Sequence, residues 1–325
     1  MDTPSLTVVE QGYFIPRGFL SRHDLVYDKD GNLVLAACIL RGENLDEDAS
    51  SAPNQLAESI KGKATESGET VVFMGAFMMP HFGHLITEGM SRFWFFLTES
   101  SPAYRIVCGA PPFGASTVIK KIFKPGAYHW QRFLRCLHLD RSHFAVTMSP
   151  VRFRKILVPE ATWVERNHTF PVHFDLTRTV AKNLIEEAAL DPDPRPVYLS
   201  RNRLKAANLR YRNEELVEKY CRESGWRIIY PERLSLRDQA IIANKHAVFA
   251  GCIGSAFHTL LFRYVDPPFK CLYLGMDKTY PNYKMMDQLI GSKSKYVACV
   301  FRNDDDALAR DIDSACAIAA LANVD

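Results

Sequence analysis

The chain has 325 residues, enough for two domains, and its 47% hydrophobic and 24% charged content is that of an ordinary soluble globular protein. A net charge of +3 excludes general nucleic-acid binding, so any positive field has to be local. No apolar run approaches the ~20 residues needed to span a bilayer.

The amino-terminal run MDTPSLTVVEQGYF has neither the basic nor the apolar region of a signal peptide. Eight cysteines (Cys38, Cys108, Cys136, Cys221, Cys252, Cys271, Cys299 and Cys316) are scattered singly, with no C-x-x-C pair. Buried reduced thiols fit that scatter better than a disulfide framework or a zinc site, and they favour a reducing compartment. The expected location is cytoplasmic, with peripheral contact to a membrane allowed.

Taken in order, residues 25–40 form two apolar runs around Asp28-Lys29-Asp30-Gly31-Asn32, which predicts a hairpin. The polar stretch 41–69 reads as an exposed loop with one short helix. Residues 71–77 predict a buried strand, stopped by Pro80. From 81 to 97 the spacing is helical, with Leu85, Ile86, Gly89, Phe93, Phe96 and Leu97 on one face and His84, Glu88, Ser91 and Arg92 on the other. A strand at 104–108, a Gly/Pro loop at 109–126, a helix at 128–137 and strands at 143–147 and 154–159 follow. An amphipathic helix at 174–190 ends at the Pro-rich segment 191–196, the best linker candidate.

Beyond the linker the alternation is regular. Strands at 197–200, 226–230, 247–251 and 269–274 alternate with helices at 213–224, 236–244 and 255–264, the second capped by Ser235. That pattern implies a parallel, doubly wound sheet and an α/β fold class. The expected domains are 1–190, 191–304 and a terminal helix over 305–325 that packs back on the amino-terminal domain.

Three constellations carry chemistry. The first is VYLSRNRLKAANLRYR, residues 197–212: a buried strand followed by Arg201, Arg203, Lys205, Arg210 and Arg212. Ligands of open α/β sheets sit outside the carboxyl ends of strands, and the planar arginine fork suits phosphate. The second is AGCIGSAFH, residues 250–258, where Gly254, Ser255 and Ala256 open a helix and its free N–H groups suit an anion. Neither a G-x-x-x-x-G-K-[ST] loop nor G-x-G-x-x-G is present, so a nucleoside-triphosphate hydrolase or nicotinamide enzyme has no direct support.

The third is His84 and Glu88, one helical turn apart, where a carboxylate can orient an imidazole as a general base. The bland reading is a solvated helix face. Adding His81 makes a metal set conceivable and with it a metal-dependent hydrolase, although Pro80 sets His81 before the helix. The D-x-D pairs Asp28/Asp30, Asp191/Asp193 and Asp311/Asp313 lie in a turn, the linker and a terminal helix, so no divalent ion is expected under a diphosphate. Leaving-group charge would fall to arginine and helix-terminus donors.

The order H-F-G-H-L-I-T-E-G-M-S-R, Y-L-S-R-N-R, R-N-E-E-L, P-E-x-L-S-L-x-x-Q and G-S-A-F-H resembles glycosyltransferase family 61, across roughly residues 71–262. The resemblance implies a GT-B-like architecture, two Rossmann-like halves facing a cleft. It implies inverting, metal-independent transfer from a nucleotide sugar, a UDP-sugar being the expected donor, to a glycan or lipid-linked glycan in surface-polysaccharide (capsule) synthesis. Carried over by residue, Arg201 and Arg203 contact the donor diphosphate, and Gly254, Ser255 and Ala256 cradle it. Glu232 and Gln239 match the segment near the nucleotide, and His84 and Glu88 the catalytic positions. Arg92, Lys205, Arg210 and Arg212 are secondary basic candidates. Ile253 stands where many members have His and Thr259 where they have Asn, so His258 is the candidate to supply the polar group. The alternative from another class is a non-catalytic module that binds nucleotides or anionic glycans.

Overall fold

The apolar run at Val71, Val72 and Phe73 is the buried end of a longer strand, Thr65–Phe73, whose first half is exposed. In the computed structural model, which describes residues 3–45, 50–75, 81–98, 104–109, 129–186, 190–204, 210–265, 269–276, 280–306 and 308–324, this strand runs through the middle of a seven-stranded sheet. It pairs in parallel with Val151–Pro159 and with Arg105–Gly109, which pairs in parallel with Phe144–Thr147. Val151–Pro159 also pairs antiparallel with Leu6–Glu10 and Tyr13–Ile15, and Tyr13–Ile15 with Leu25–Tyr27. Phe14, Val26, Phe73, Val107, Ile156 and Val158 form one core of this sheet.

The chain divides into two compact units, Met1–Leu176 and Thr177–Asp325. The Pro-rich segment lies within the second, where the Asp193 N–H donates to the carbonyl of Lys245 at 2.9 Å. Most of the Gly/Pro loop expected at 109–126 lies outside the described residues. The hairpin expected at 25–40 forms its turn, with Asp28 Oδ1 accepting from the N–H groups of Asp30 and Asn32 at 2.9 and 2.8 Å. Its second apolar run meets Leu25–Tyr27 only at an antiparallel bridge between Tyr27 and Leu33 and then becomes a 3₁₀ turn, Leu35–Ala37, while Leu25–Tyr27 pairs on its other edge with Tyr13–Ile15.

The helix expected over 81–97 is interrupted. A helical turn at Phe82–His84 passes into a π turn at Leu85–Gly89, closed by Met90 N–H on the Leu85 carbonyl at 2.9 Å, and α geometry resumes at Phe95–Thr98. A π turn inserts one residue and rotates everything after it. Ser91 and Arg92, which 100° spacing puts on a polar face with His84, are thereby turned inward and are 3% and 5% exposed.

The second unit carries an all-parallel five-stranded sheet in the order Arg227–Ile229, Val197–Leu199, Val248–Cys252, Lys270–Gly275, Lys293–Ala298. Numbered along the chain this order is 2-1-3-4-5, the doubly wound order whose direction reverses between the first and third strands. The carboxyl ends of Val197–Leu199 and Val248–Cys252 therefore flank the switch point. Tyr198, Ala250, Leu272 and Leu274 build the core with Val217 and Cys221 of the helix Glu214–Glu223.

The carboxyl terminus differs from the helix expected from residue 305. Ala309–Ile312 is a strand, paired in parallel with Arg210–Arg212 and antiparallel with Val300–Arg302, and the helix is only Ser314–Leu321. Asp313 sets its start by accepting from the Cys316 N–H at 3.0 Å. Ala317, Ala320 and Leu321 belong to the core of the second unit. All eight cysteines are free thiols and all but Cys316 are buried.

At the switch point the backbones close tightly. A Cβ added to Gly251 would lie 2.6 Å from the carbonyl oxygen of Leu199. Gly251→Ala should therefore force the first and third strands apart and cost about 1–3 kcal/mol, the usual penalty of overpacking. Urea unfolding measures it; an unchanged midpoint would mean the sheet accommodates a methyl there.

Candidate active site

The exit of the strand Val197–Leu199 is held by two carboxylates one helical turn apart on Glu214–Glu223. The Ser200 hydroxyl donates to Glu218 Oε1 at 2.6 Å, and its oxygen accepts from the Asn202 N–H at 3.1 Å. Glu218 Oε2 accepts from Arg222 at 2.6 Å and from the Tyr230 hydroxyl at 3.1 Å. Glu214 Oε1 accepts from the Arg201 N–H at 3.0 Å and from the Tyr198 hydroxyl at 3.2 Å. Three successive residues after the strand are thus locked before any ligand arrives. These acidic anchors were not singled out from the sequence; a Glu pair at i, i+4 opening the helix after an arginine-rich turn is the signal that marks them.

Pinning the backbone aims the side chain. The Arg201 guanidinium lies across Gly254: a Cβ there would collide with Nη1 and sit 2.9 Å from Cζ. Gly254 is needed for this space and not for its extended backbone angles. On its other side Arg201 Cζ is 5.2 Å from the centroid of the Tyr211 ring, a cation–π contact, and the Tyr211 hydroxyl donates to the Ile253 carbonyl at 3.3 Å. Arg201 Nε is buried and finds no acceptor among the described residues. A buried guanidinium donor with nothing to bond is costly unless a ligand supplies the acceptor.

Next to it, Ser255–Phe262 is a 3₁₀ helix whose internal hydrogen bonding begins when Phe257 N–H reaches the Gly254 carbonyl at 3.1 Å. The N–H groups of half-buried Ser255 and Ala256 precede that first bond, as the orphan donors of a helix start do. His258 is buried and stacks on Tyr283, with ring centroids 5.3 Å apart and planes within 10°.

The other basic candidates disperse. Arg203 leans over Tyr230, 5.7 Å from its ring and shared with Arg233, on the far side of Val197–Leu199 from Gly254. Arg212 approaches Asp311 at 3.9 Å. Arg92 is buried in the first unit, its guanidinium donating to the backbone carbonyls of Pro159 and Cys38, so burial pushes its pKa down to about 10. Lys205 lies outside the described residues, and Arg210 is described only as part of a strand. Gln239 acts as a tie, donating to the Pro231 carbonyl at 3.0 Å and accepting from the Thr259 hydroxyl at 3.0 Å. Glu232 is exposed on the short turn Pro231–Arg233.

In the first unit, His84 Nδ1 meets Glu88 Oε2 at 2.7 Å. Because a carboxylate only accepts, Nδ1 carries the proton and Nε2 is left with the lone pair. The Glu88 side chain is 6% exposed while that of His84 is 38% exposed, so the imidazole stands out from a fixed support. Arg41 Nε is 3.8 Å from Glu88 Oε1 and 3.7 Å from Glu165 Oε2, which adds two residues the sequence reading had not chosen. The Glu88 hydrogen bond, helped by the charges of Glu88 and Glu165, raises the His84 pKa against the opposing effects of burial and Arg41. The His81 ring is 4.9 Å from that of His84, yet among the described residues no three His, Cys, Asp or Glu side chains gather as a metal set.

Compared with protein families, residues 82–272, more than half of the chain, match the family described as Glycosyltransferase 61. The matched span runs from the His84–Glu88 turn through the Arg201 and Gly254 elements into the strand Lys270–Gly275. No curated protein matches the chain. Among the described residues no helix is long and apolar enough to cross a membrane.

Burial raises the Glu214 pKa from 4.5 to about 7, against the opposing effect of its two hydrogen bonds. A carboxyl raised on folding favours the folded state below its unfolded pKa, and that advantage is lost as pH rises through the folded one. Relative to Glu214→Gln, whose neutral amide cannot titrate, the protein should lose on the order of 3 kcal/mol across this window. Unfolding free energies of both forms from the acid to the neutral range check this; parallel curves would show that Glu214 does not titrate there.

Proposed function

This chain belongs to glycosyltransferase family 61, and from that premise we propose that it is an inverting, metal-independent transferase that moves a sugar from a UDP-sugar to a glycan or lipid-linked glycan acceptor. The observation that carries the reading is the Arg201 guanidinium, held over Gly254 beside the open helix start at Ser255, with a buried Nε that lacks an acceptor. A departing nucleoside diphosphate is the ligand class that fits a planar fork and N–H donors at a doubly wound switch point.

The proposal carries an architecture as well: a GT-B arrangement in which the donor half and the half bearing His84 face a common cleft. The acceptor hydroxyl gives its proton to His84 Nε2, and its oxygen attacks the anomeric carbon as the bond to the diphosphate oxygen breaks, so the configuration inverts. Glu88 holds the imidazole in the required tautomer and stabilises the imidazolium that forms. On this reading His84 is the base and Glu88 its orienting partner. The negative charge that develops on the leaving group passes to Arg201 and to the N–H groups of Ser255 and Ala256, preorganised donors that need not move during the reaction. We place this chemistry in the cytoplasm, in surface-polysaccharide synthesis.

The test is nucleotide release from a panel of nucleotide sugars, with and without chelator and acceptor. Arg201→Ala should lower kcat/KM by about 10²–10³, the usual loss when one preorganised donor is removed, and Arg203→Ala by much less, because its guanidinium points to Tyr230. Equal, small effects of the two substitutions would remove the donor site from this turn.

The base makes a separate prediction. His84 must be neutral to act, so kcat/KM should fall as pH drops through a His84 pKa held above that of an ordinary imidazole by Glu88. Glu88→Gln removes the main cause, so the acid limb should shift to lower pH while the plateau rate drops. A pH–rate profile with an unmoved acid limb would show that another group is titrating.

A further inference from the structure

Beside the His84–Glu88 pair, inside the first unit, is a cavity of about 170 Å³. Its walls come from three stretches: the 3₁₀ turn around Leu35–Ala37 with Leu40, the end of the central strand at Met74, and Trp163 with Val164. Three of the polar side chains at its edge are already engaged. Arg92 donates to the carbonyls of Pro159 and Cys38, Glu160 Oε2 accepts from the N–H and hydroxyl of Ser5 at 2.7 and 2.8 Å, and Ser91 donates to the Glu88 carbonyl at 2.6 Å. The cavity thus offers mainly apolar surface, with Glu88 and His168 the further polar side chains on its wall. At its mouth Leu35 is 58% exposed, a large apolar side chain on a tight turn with no core to enter.

Glu88 connects the cavity to the chemistry. One carboxylate oxygen accepts a hydrogen bond from His84 Nδ1 at 2.7 Å, while the residue also forms part of the cavity wall, and its Oε1 has no hydrogen-bond donor among the described residues. A molecule whose hydroxyl sits at His84 therefore has an apolar hollow within the reach of its neighbouring substituent. Size narrows the class, since an apolar protein cavity of ~150 Å³ holds one benzene-sized ring.

Resting on the reading of His84 and Glu88 as the acceptor-activating pair, we infer that this cavity is an aglycone site, which selects acceptors bearing one aromatic ring or a branched aliphatic group of comparable size next to the sugar. Its contribution is to acceptor binding and not to the chemical step, so it appears in the acceptor KM.

The experiment compares benzyl with methyl glycosides as acceptors for the full chain, with nucleotide release as readout and benzyl alcohol binding followed by thermal shift and tryptophan fluorescence. The wild type should bind benzyl alcohol, and its KM for benzyl glycosides should be about tenfold or more below that for methyl glycosides, as burial of several apolar carbons implies. Ala37→Leu fills the cavity and should abolish benzyl alcohol binding and the KM advantage while the preference falls toward methyl glycosides. Val164→Ala enlarges it and should shift the preference toward naphthylmethyl glycosides, which keeps the inference testable should Ala37→Leu not fold. Turnover without a benzyl preference, or a preference that Ala37→Leu and Val164→Ala leave unmoved, overturns the aglycone site and leaves the transferase reading standing. Benzyl alcohol binding in a chain that releases nucleotide from no donor overturns the transferase reading, and the assignment to an acceptor falls with it.

Discussion

The close approach of the Arg201 guanidinium to Gly254 is the constraint on which the candidate site of the second unit depends. It exists because the first and third strands of the sheet are adjacent and parallel, with Leu199 opposite Gly251. The chain leaving one strand then has to pass the chain leaving the other. Two glycines make that passage possible, Gly251 by letting the backbones close and Gly254 by leaving room for a side chain from the neighbouring exit. The arginine cannot retreat, because its own N–H is tied to Glu214 and its guanidinium is stacked on Tyr211.

Such a site is assembled against the local energetics. Glu214 is fully buried, and its Oε2 finds no hydrogen bond among the described residues. Burying a carboxylate without a full set of partners disfavours the charged form, which is why its pKa rises toward neutrality. Glu218, with three bonds from Ser200, Arg222 and Tyr230 shared between its two oxygens, is by comparison well satisfied. One rigid anchor and one titrating anchor, a single helical turn apart, hold the same three-residue turn.

The first unit solves a related problem with a π turn. The extra residue at Leu85–Gly89 keeps His84 and Glu88 together at the outer end of the segment while it rotates Ser91 and Arg92 into the interior. Arg92 then ties this segment to the carbonyls of Pro159 and Cys38. The imidazole thus rests on a carboxylate that is itself fixed, which leaves one nitrogen facing outward with its lone pair.

The sequence by itself determined the parallel alternation of the second unit, the arginine and glycine turns that end its strands, the helical spacing of His84 and Glu88, and the family resemblance. These are short-range properties: apolar runs of strand length, helices of about ten residues and side chains four residues apart are written in adjacent positions. Only the tertiary structure decided which arginine lies at the switch point. Arg201 and Arg203 are two residues apart and chemically identical, and their divergence toward Gly254 and Tyr230 depends on the strands Arg227–Ile229 and Val248–Cys252, which come much later in the chain. It also decided that Arg92 is a buried tie, that the terminal segment gives a strand to the small sheet with Arg210–Arg212, and that Glu214 sits under the arginine turn. Each of these follows from which non-adjacent backbones become neighbours, and that information is not carried by the residue types alone.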